Sequence, residues 1–392
     1  MSIAKGIRDS IEKSSWIRKM FEEGAKMKAQ FGAENVFDFS LGNPDLEPPE
    51  EFFSTLQTML RERKPGSHGY MPNAGFLSVR EAIAGKVSRE HGVMVRPEGI
   101  IMTCGAAGGM NTVLKTILNP GDEVIVLKPY FVEYGFYIGN HGGKMVLVDT
   151  AADFSINVGN IKQAINEKTR AVIINSPNNP TGKIYSRQEI SDLTEMLRAT
   201  GQTIFLISDE PYREIVYDNA EVPSILAFYN ESIVITSYSK SLSLPGERIG
   251  YLVLHPSCKD FDLVMAGMIL SNRILGYVNA PALMQRVVAE LLNVTVDVGI
   301  YKKKRDIFIE GLSSAGYDFI TPEGAFYLFC KAPTDDDVAF VRHLQKFNVL
   351  AVPGVGFGGP GYFRLAYCVP ESTIRKSIPK FKEALESYDT KA

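Results

Sequence analysis

Between residues 99 and 235 short unbroken runs of apolar, largely β-branched residues alternate with stretches of helical period, and this alternation limits the fold more than any other feature. The runs are Ile100-Ile101-Met102, Val124-Ile125-Val126-Leu127, Ala171-Val172-Ile173-Ile174, Ile204-Phe205-Leu206-Ile207 and Ile233-Val234-Ile235. Between them lie segments such as Ile190 to Leu197, with apolar residues three and four apart. A strand apolar at every position has no face for water. The pattern therefore predicts an α/β fold with a mostly parallel central sheet sandwiched by helices. After about residue 280 the pattern changes. A helical stretch from roughly Pro281 through Leu312 leads to short strands at Phe326–Cys330, Val349–Val352 and Tyr362–Ala366, with helices at Asp336–Phe347 and Glu371–Tyr388. This predicts a smaller α+β unit. The N-terminal helix is expected to join it through an apolar face carrying Met20, Ala25 and Met27.

A chain of 392 residues suffices for a large core and two domains. Its formal net charge of -3 supplies no global field toward nucleic acid or an anionic membrane. The charged opening lacks the apolar stretch of a secretory signal, and no window approaches the roughly 18 apolar residues of a membrane span. Cys104, Cys258, Cys330 and Cys368 lie far apart without a CxxC pair, and the five histidines have no ligand spacing. The expectation is a cytoplasmic protein with reduced thiols, no metal site, no nucleic-acid partner and no membrane partner.

Four polar clusters follow predicted strands. Ser237-Tyr238-Ser239-Lys240 comes directly after Ile233–Ile235, with Arg248 eight residues beyond the lysine. Asp209-Glu210-Pro211-Tyr212 follows Ile207; Ser176-Pro177-Asn178-Asn179-Pro180-Thr181-Gly182 follows Ile174; Gly105-Ala106-Ala107-Gly108-Gly109 follows Ile101 and Met102 and opens a helix. Each cluster by itself reads equally as a surface loop or turn. Together they put a lysine nucleophile, an acid, a phenol, a guanidinium and a small-residue helix start at the strand ends, where open α/β sheets bind ligands. The run Pro353 to Gly361 superficially suggests a dinucleotide loop, but it leads into a strand, and so it is expected to be a flexible loop beside the site.

The ordered set SYSK with Arg248, DEPY, NNPTG and the turn at Gly105 resembles the class I/II aminotransferases, which are fold-type I pyridoxal-phosphate-dependent enzymes. The resemblance covers nearly the whole chain and extends to Leu41-Gly42-Asn43-Pro44-Asp45, Tyr70 and Phe363-Arg364-Leu365. It implies pyridoxal 5'-phosphate as cofactor, with Lys240 as its covalent anchor and proton carrier. Asp209 would pair with the ring nitrogen, Tyr212 and Asn179 would bond the 3'-oxygen, and Phe131 would stack on the ring, with Tyr130 the neighbouring alternative. Ser237, Ser239, Arg248 and the backbone of Gly105, Ala106 and Ala107 would hold the phosphate, and Tyr70 would reach it from a second subunit. Arg364 would grip the substrate α-carboxylate with help from Gly42. The implied molecule is a homodimer with shared sites, a cofactor domain over residues 48–275 and a small domain of residues 1–47 and 276–392.

The implied reaction is ping-pong transfer of an amino group from an L-amino acid to a 2-oxo acid such as 2-oxoglutarate. A lyase or decarboxylase would keep the same Lys240, Asp209, Arg248 and Arg364. A cofactor-sensing domain is the third reading, but the residues before Leu41 are too few for a DNA-binding partner domain. For the substrate side chain two readings stay open. Arg273, near Val278-Asn279-Ala280-Pro281, would select dicarboxylates, or it lies on the surface of an enzyme for alanine or apolar donors.

Overall fold

A computed structural model describes residues 2–12 and 16–389. Twelve strands occur among them. These are β1 (Phe37–Asp38), β2 (Ile100–Thr103), β3 (Glu123–Lys128), β4 (Lys144–Asp149), β5 (Thr169–Asn175), β6 (Phe205–Asp209), β7 (Ser232–Ser237), β8 (Gly250–Leu254), β9 (Tyr327–Lys331), β10 (Val349–Leu350), β11 (Val352–Pro353) and β12 (Tyr362–Ala366). Seven of them form the central sheet in the order β2-β8-β7-β6-β5-β3-β4. Its neighbours are parallel except where β8 pairs with β2 and β7.

The unbroken apolar runs are explained by a separate core on each face of this sheet. Ile100, Met102, Ile125, Leu127, Val172, Ile174, Leu206 and Val234 enter one core. Their alternates Ile101, Val124, Val126, Ala171, Ile173, Phe205, Ile207, Ile233 and Ile235 enter the other. Side chains of a strand alternate in direction, so a strand between two helical layers is apolar throughout. Each such side chain, fully buried, contributes roughly 1.5–3 kcal/mol.

Two strands of the sheet were not legible in the sequence. In β4 most side chains are partly exposed, as befits the sheet edge. Strand β8 follows Arg248 at once and returns antiparallel, with no helix to announce it.

The C-terminal part is built on an antiparallel sheet, β11-β12-β9, and the parallel pair β1-β10. A third core of Phe39, Phe308, Phe326, Phe329, Phe340, Phe363 and Phe381 fills it. The helix expected across Pro281–Leu312 is two helices, Ala282–Glu290 and Val298–Ser314, with Asp297 capping the second through the Gly299 N–H at 2.9 Å. Met284, Val287 and Val288 of the first, with Leu291 just beyond its end, belong to the core of the large sheet. The helix Trp16–Phe31 does bury Met20 and Met27, but Ala25 is exposed and Gly24 takes its place. A Cβ at Gly24 would sit 3.0 Å from Leu350.

A candidate cofactor and substrate site

Because β2, β3, β5, β6 and β7 run the same way, their carboxyl ends share one edge of the sheet. Thr103, Lys128, Asn175, Asp209 and Ser237 are the last residues of these strands. Strand β8, running the other way, starts at the same edge, with Gly250 opposite both Thr103 and Ser237. This is why Arg248 arrives beside Lys240. Arg248 has φ 51°, and its Nη1 donates to the Pro245 carbonyl at 2.9 Å. Gly105, at φ 69°, starts the helix Gly105–Ile117. A Cβ there would lie 3.1 Å from Arg248 Nη2, so the glycine lets backbone and guanidinium face one another closely.

Above this edge is a cavity of about 320 Å³. Gly42, Ala106, Ala107, Phe131, Asn179, Asp209, Tyr212, Ser237, Ser239, Lys240, Arg248 and Arg364, all expected site residues, line it together. Gly105 adjoins it through Arg248. Tyr130 instead packs toward Gly358. Two residues lie elsewhere. Tyr70 is 94% exposed and borders a separate recess with Tyr277 and Asn279. Arg273 is exposed near the end of the helix Phe261–Ile274.

The lysine amine donates to the Gly42 carbonyl at 2.8 Å. Burial, assisted by the Arg364 and Arg248 charges and opposed by Cys368, lowers its pKa to about 8. Asp209 is buried at the end of β6 and accepts from Tyr134 Oη at 2.6 Å. Burial pushes its carboxyl up to about 6, against the effect of the Tyr134 hydrogen bond. A cationic partner is what such a carboxylate lacks. Asn175 fixes the floor. Its Nδ2 donates to the Asp209 carbonyl at 2.7 Å, and its Oδ1 accepts from the Asn179 N–H at 2.7 Å.

Arg364, from β12, is 2% exposed. It donates to Asn179 Oδ1 at 3.1 Å and to the Ser40 carbonyl at 2.6 Å, while its Nε has no partner among the described residues. The rings of Tyr327 and Phe357 each lie 4.7 Å from its guanidinium carbon. Phe357 belongs to the glycine-rich run expected as a flexible loop; in the fold that run makes a turn with Phe357 fully buried. A buried guanidinium with no carboxylate bonded to it among the described residues, and one donor unused, is equipped to receive an anion.

Tyr134, Tyr137, Asn175, Tyr327, Met110 and Pro245 also line the cavity and were not singled out from the sequence. Tyr134 follows Phe131 by three residues and meets its ring edge-on at 5.6 Å. Asn175 is the last residue before the Ser176–Gly182 segment, so proximity to that motif was its only signal.

The residues fit pyridoxal 5'-phosphate at each end. Arg248, two serines and a helix start would suit an anion, Asp209 would suit a protonated ring nitrogen, and Lys240 would suit an aldehyde. Fold and cavity together define a fold-type I pyridoxal-phosphate-dependent enzyme. Residues 34–381 match the family described as aminotransferase class I and II. The chain is 33% identical to a probable aspartate/prephenate aminotransferase of Aquifex aeolicus, covering 90% of this chain and 91% of that protein. It is 30% identical to an aspartate aminotransferase of Thermotoga maritima, over 95% and 97% of the two chains. Among solved structures, an aminotransferase from Eubacterium rectale superposes with a TM-score of 0.96 at 38% identity, covering 99% of both chains. The aspartate aminotransferase of Thermus thermophilus with maleate gives 0.88 at 28% identity, covering 98% of this chain and 100% of that one. The chain belongs to the class I and II aminotransferases, and it is a pyridoxal-phosphate-dependent transaminase.

Proposed function

We propose that this enzyme moves the amino group of an L-amino acid to a 2-oxo acid, 2-oxoglutarate in the second half, by a ping-pong cycle at the cavity around Lys240. When bound, the cofactor supplies an electron sink for the substrate Cα. Lys240, with its amine already lowered to about 8, anchors the cofactor and afterwards carries the proton at Cα. Asp209 would face the ring nitrogen and Phe131 would cover the ring. Tyr212 and Asn179 would hold the 3'-oxygen; Ser237, Ser239, Arg248 and the N–H groups of Gly105, Ala106 and Ala107 would hold the phosphate. Arg364 and the Gly42 N–H orient the α-carboxylate. The observation that carries this reading is the convergence of Lys240, Asp209, Arg248 and Arg364 on one cavity, the first three from the ends of β7, β6 and β8 and the fourth from the middle of β12.

The exposure of Tyr70 supports a homodimer in which this phenol completes the phosphate site of the other subunit. The cations lining the cavity among the described residues are Lys240, Arg248 and Arg364, each already assigned. A second substrate carboxylate would therefore be met across the dimer interface, where we place Arg273. The aspartate-named relatives support dicarboxylic donors. Titrating the cofactor-loaded protein with a panel of amino acids, while assaying 2-oxo acids, tests the reading. Loss of the visible band with stoichiometric 2-oxo acid from aspartate or glutamate is the expected result. Arg273→Ala should then lower kcat/KM for these two donors and spare alanine; aspartate and glutamate turnover unchanged from wild type would remove Arg273 from recognition.

A further inference from the structure

Tyr327 did not stand out in the sequence, yet it meets Tyr212, Arg364 and the Gly42 segment at once. It begins β9 on the same face of the small sheet as Arg364, two residues from Phe329, the register partner of Arg364. Its hydroxyl lies 2.8 Å from the Tyr212 hydroxyl, and the two rings meet edge-on at 5.6 Å. Its face covers the Arg364 guanidinium at 4.7 Å. A Cβ at Gly42, whose carbonyl receives the Lys240 amine, would collide with the Tyr327 hydroxyl. Tyr327 is 2% exposed, so water does not compete for these contacts.

We propose that Tyr327 is a positioning residue with two separable tasks: its hydroxyl donates to Tyr212, and its ring holds Arg364 in the plane that meets the substrate carboxylate. The inference rests on the roles given above to Tyr212 and Arg364. A phenol has one hydrogen to donate. If Tyr212 accepts from Tyr327, its own hydrogen is left for the cofactor's 3'-oxygen, and accepting a hydrogen bond makes it a better donor. A hydrogen bond to that oxygen stabilises its negative charge and so favours the deprotonated form of the lysine–cofactor linkage. Removing the Tyr327 hydroxyl must therefore raise the pKa of the linkage. Removing the ring as well deprives Arg364 of one of its two aromatic supports and loosens the carboxylate grip.

The test is a pH titration of the visible band of the cofactor-loaded protein, with steady-state kinetics, for wild type, Y327F, Y327L, Y212F and Y212F/Y327F. Y327F should shift the band's pKa upward by roughly half to one unit, the size one hydrogen bond confers. It should lower kcat several-fold with KM for the amino acid nearly unchanged. Y327L should show the same spectral shift and raise KM in addition, by roughly tenfold. In the double variant Y212F should absorb the Y327F shift, because the hydroxyl acts only through Tyr212. An unmoved pKa in Y327F, or shifts that simply add in the double variant, would overturn the coupling. Loss of binding without any spectral change in either Tyr327 variant would also overturn it. A wild-type protein that forms no visible band would instead overturn the assignment of Lys240, a failure distinct from the others.

Discussion

A buried amine and a buried carboxyl facing one cavity make cofactor capture depend on pH in a definite direction. Lys240 must be neutral to attack an aldehyde, and its pKa is near 8; Asp209 must be ionised to pair with a protonated ring nitrogen, and its pKa is near 6. Both requirements improve as pH rises. The capture rate of added pyridoxal phosphate by apoprotein should climb from pH 5.5 to 8.5, roughly following these two ionisations. A stopped-flow series over that range checks it; a flat profile would show that neither group gates the step. Gly42 gives a second residue-scale expectation. Gly42→Ala puts a methyl group into the Tyr327 hydroxyl, displacing the segment that bonds Lys240. We expect kcat/KM to drop by on the order of tenfold or more, from misplacement near the reacting centre, while the protein still folds. Titration and kinetics of the variant measure both. At this scale the sequence was informative where a motif fixes a residue's place, as with Lys240, Asp209 and Arg364, which meet at one cavity. It was silent on Tyr134 and Tyr327, because tyrosines are common in cores and their hydroxyl partners lie 75 and 115 residues away along the chain.

Among the elements, the strands buried on both faces were legible because burial demands apolar residues at every position. Strand β4 carries Lys144 and Asp149 at an edge and has no such demand, so its composition did not distinguish it. The break between the helices Ala282–Glu290 and Val298–Ser314 was hidden because apolar residues continue through Leu291 and Leu292. Helix starts away from the cavity should influence stability and leave chemistry alone. Ser186 and Glu189 form a reciprocal cap on the helix Arg187–Ala199. Ser186→Ala should cost about 1 kcal/mol, seen as a lower denaturation midpoint with kcat and KM unchanged. A change in kcat would mean that this helix start is coupled to the site.

For the whole molecule, the cavity joins two sheets. The central sheet brings Asp209, Lys240 and Arg248, and the small sheet brings Arg364 and Tyr327. The motifs made this meeting inferable only through resemblance to a family, since no local pattern says that residue 364 returns to residue 179. The proposed dimer adds Tyr70 from outside. A mixture of K240A and Y70A chains that exchange subunits should recover turnover that neither variant shows alone, since one site of each mixed dimer would hold both intact residues. No recovery after confirmed exchange would place Tyr70 outside the partner's site.

Every role proposed for the cavity depends on Lys240 being the covalent anchor. The direct measurement is borohydride reduction of the protein loaded with pyridoxal phosphate, followed by peptide mapping by mass spectrometry. One phosphopyridoxyl group per chain is expected, on the peptide containing Ser237-Tyr238-Ser239-Lys240, and none in K240A. Stoichiometric label on a different lysine, or unchanged labelling in K240A, would contradict it.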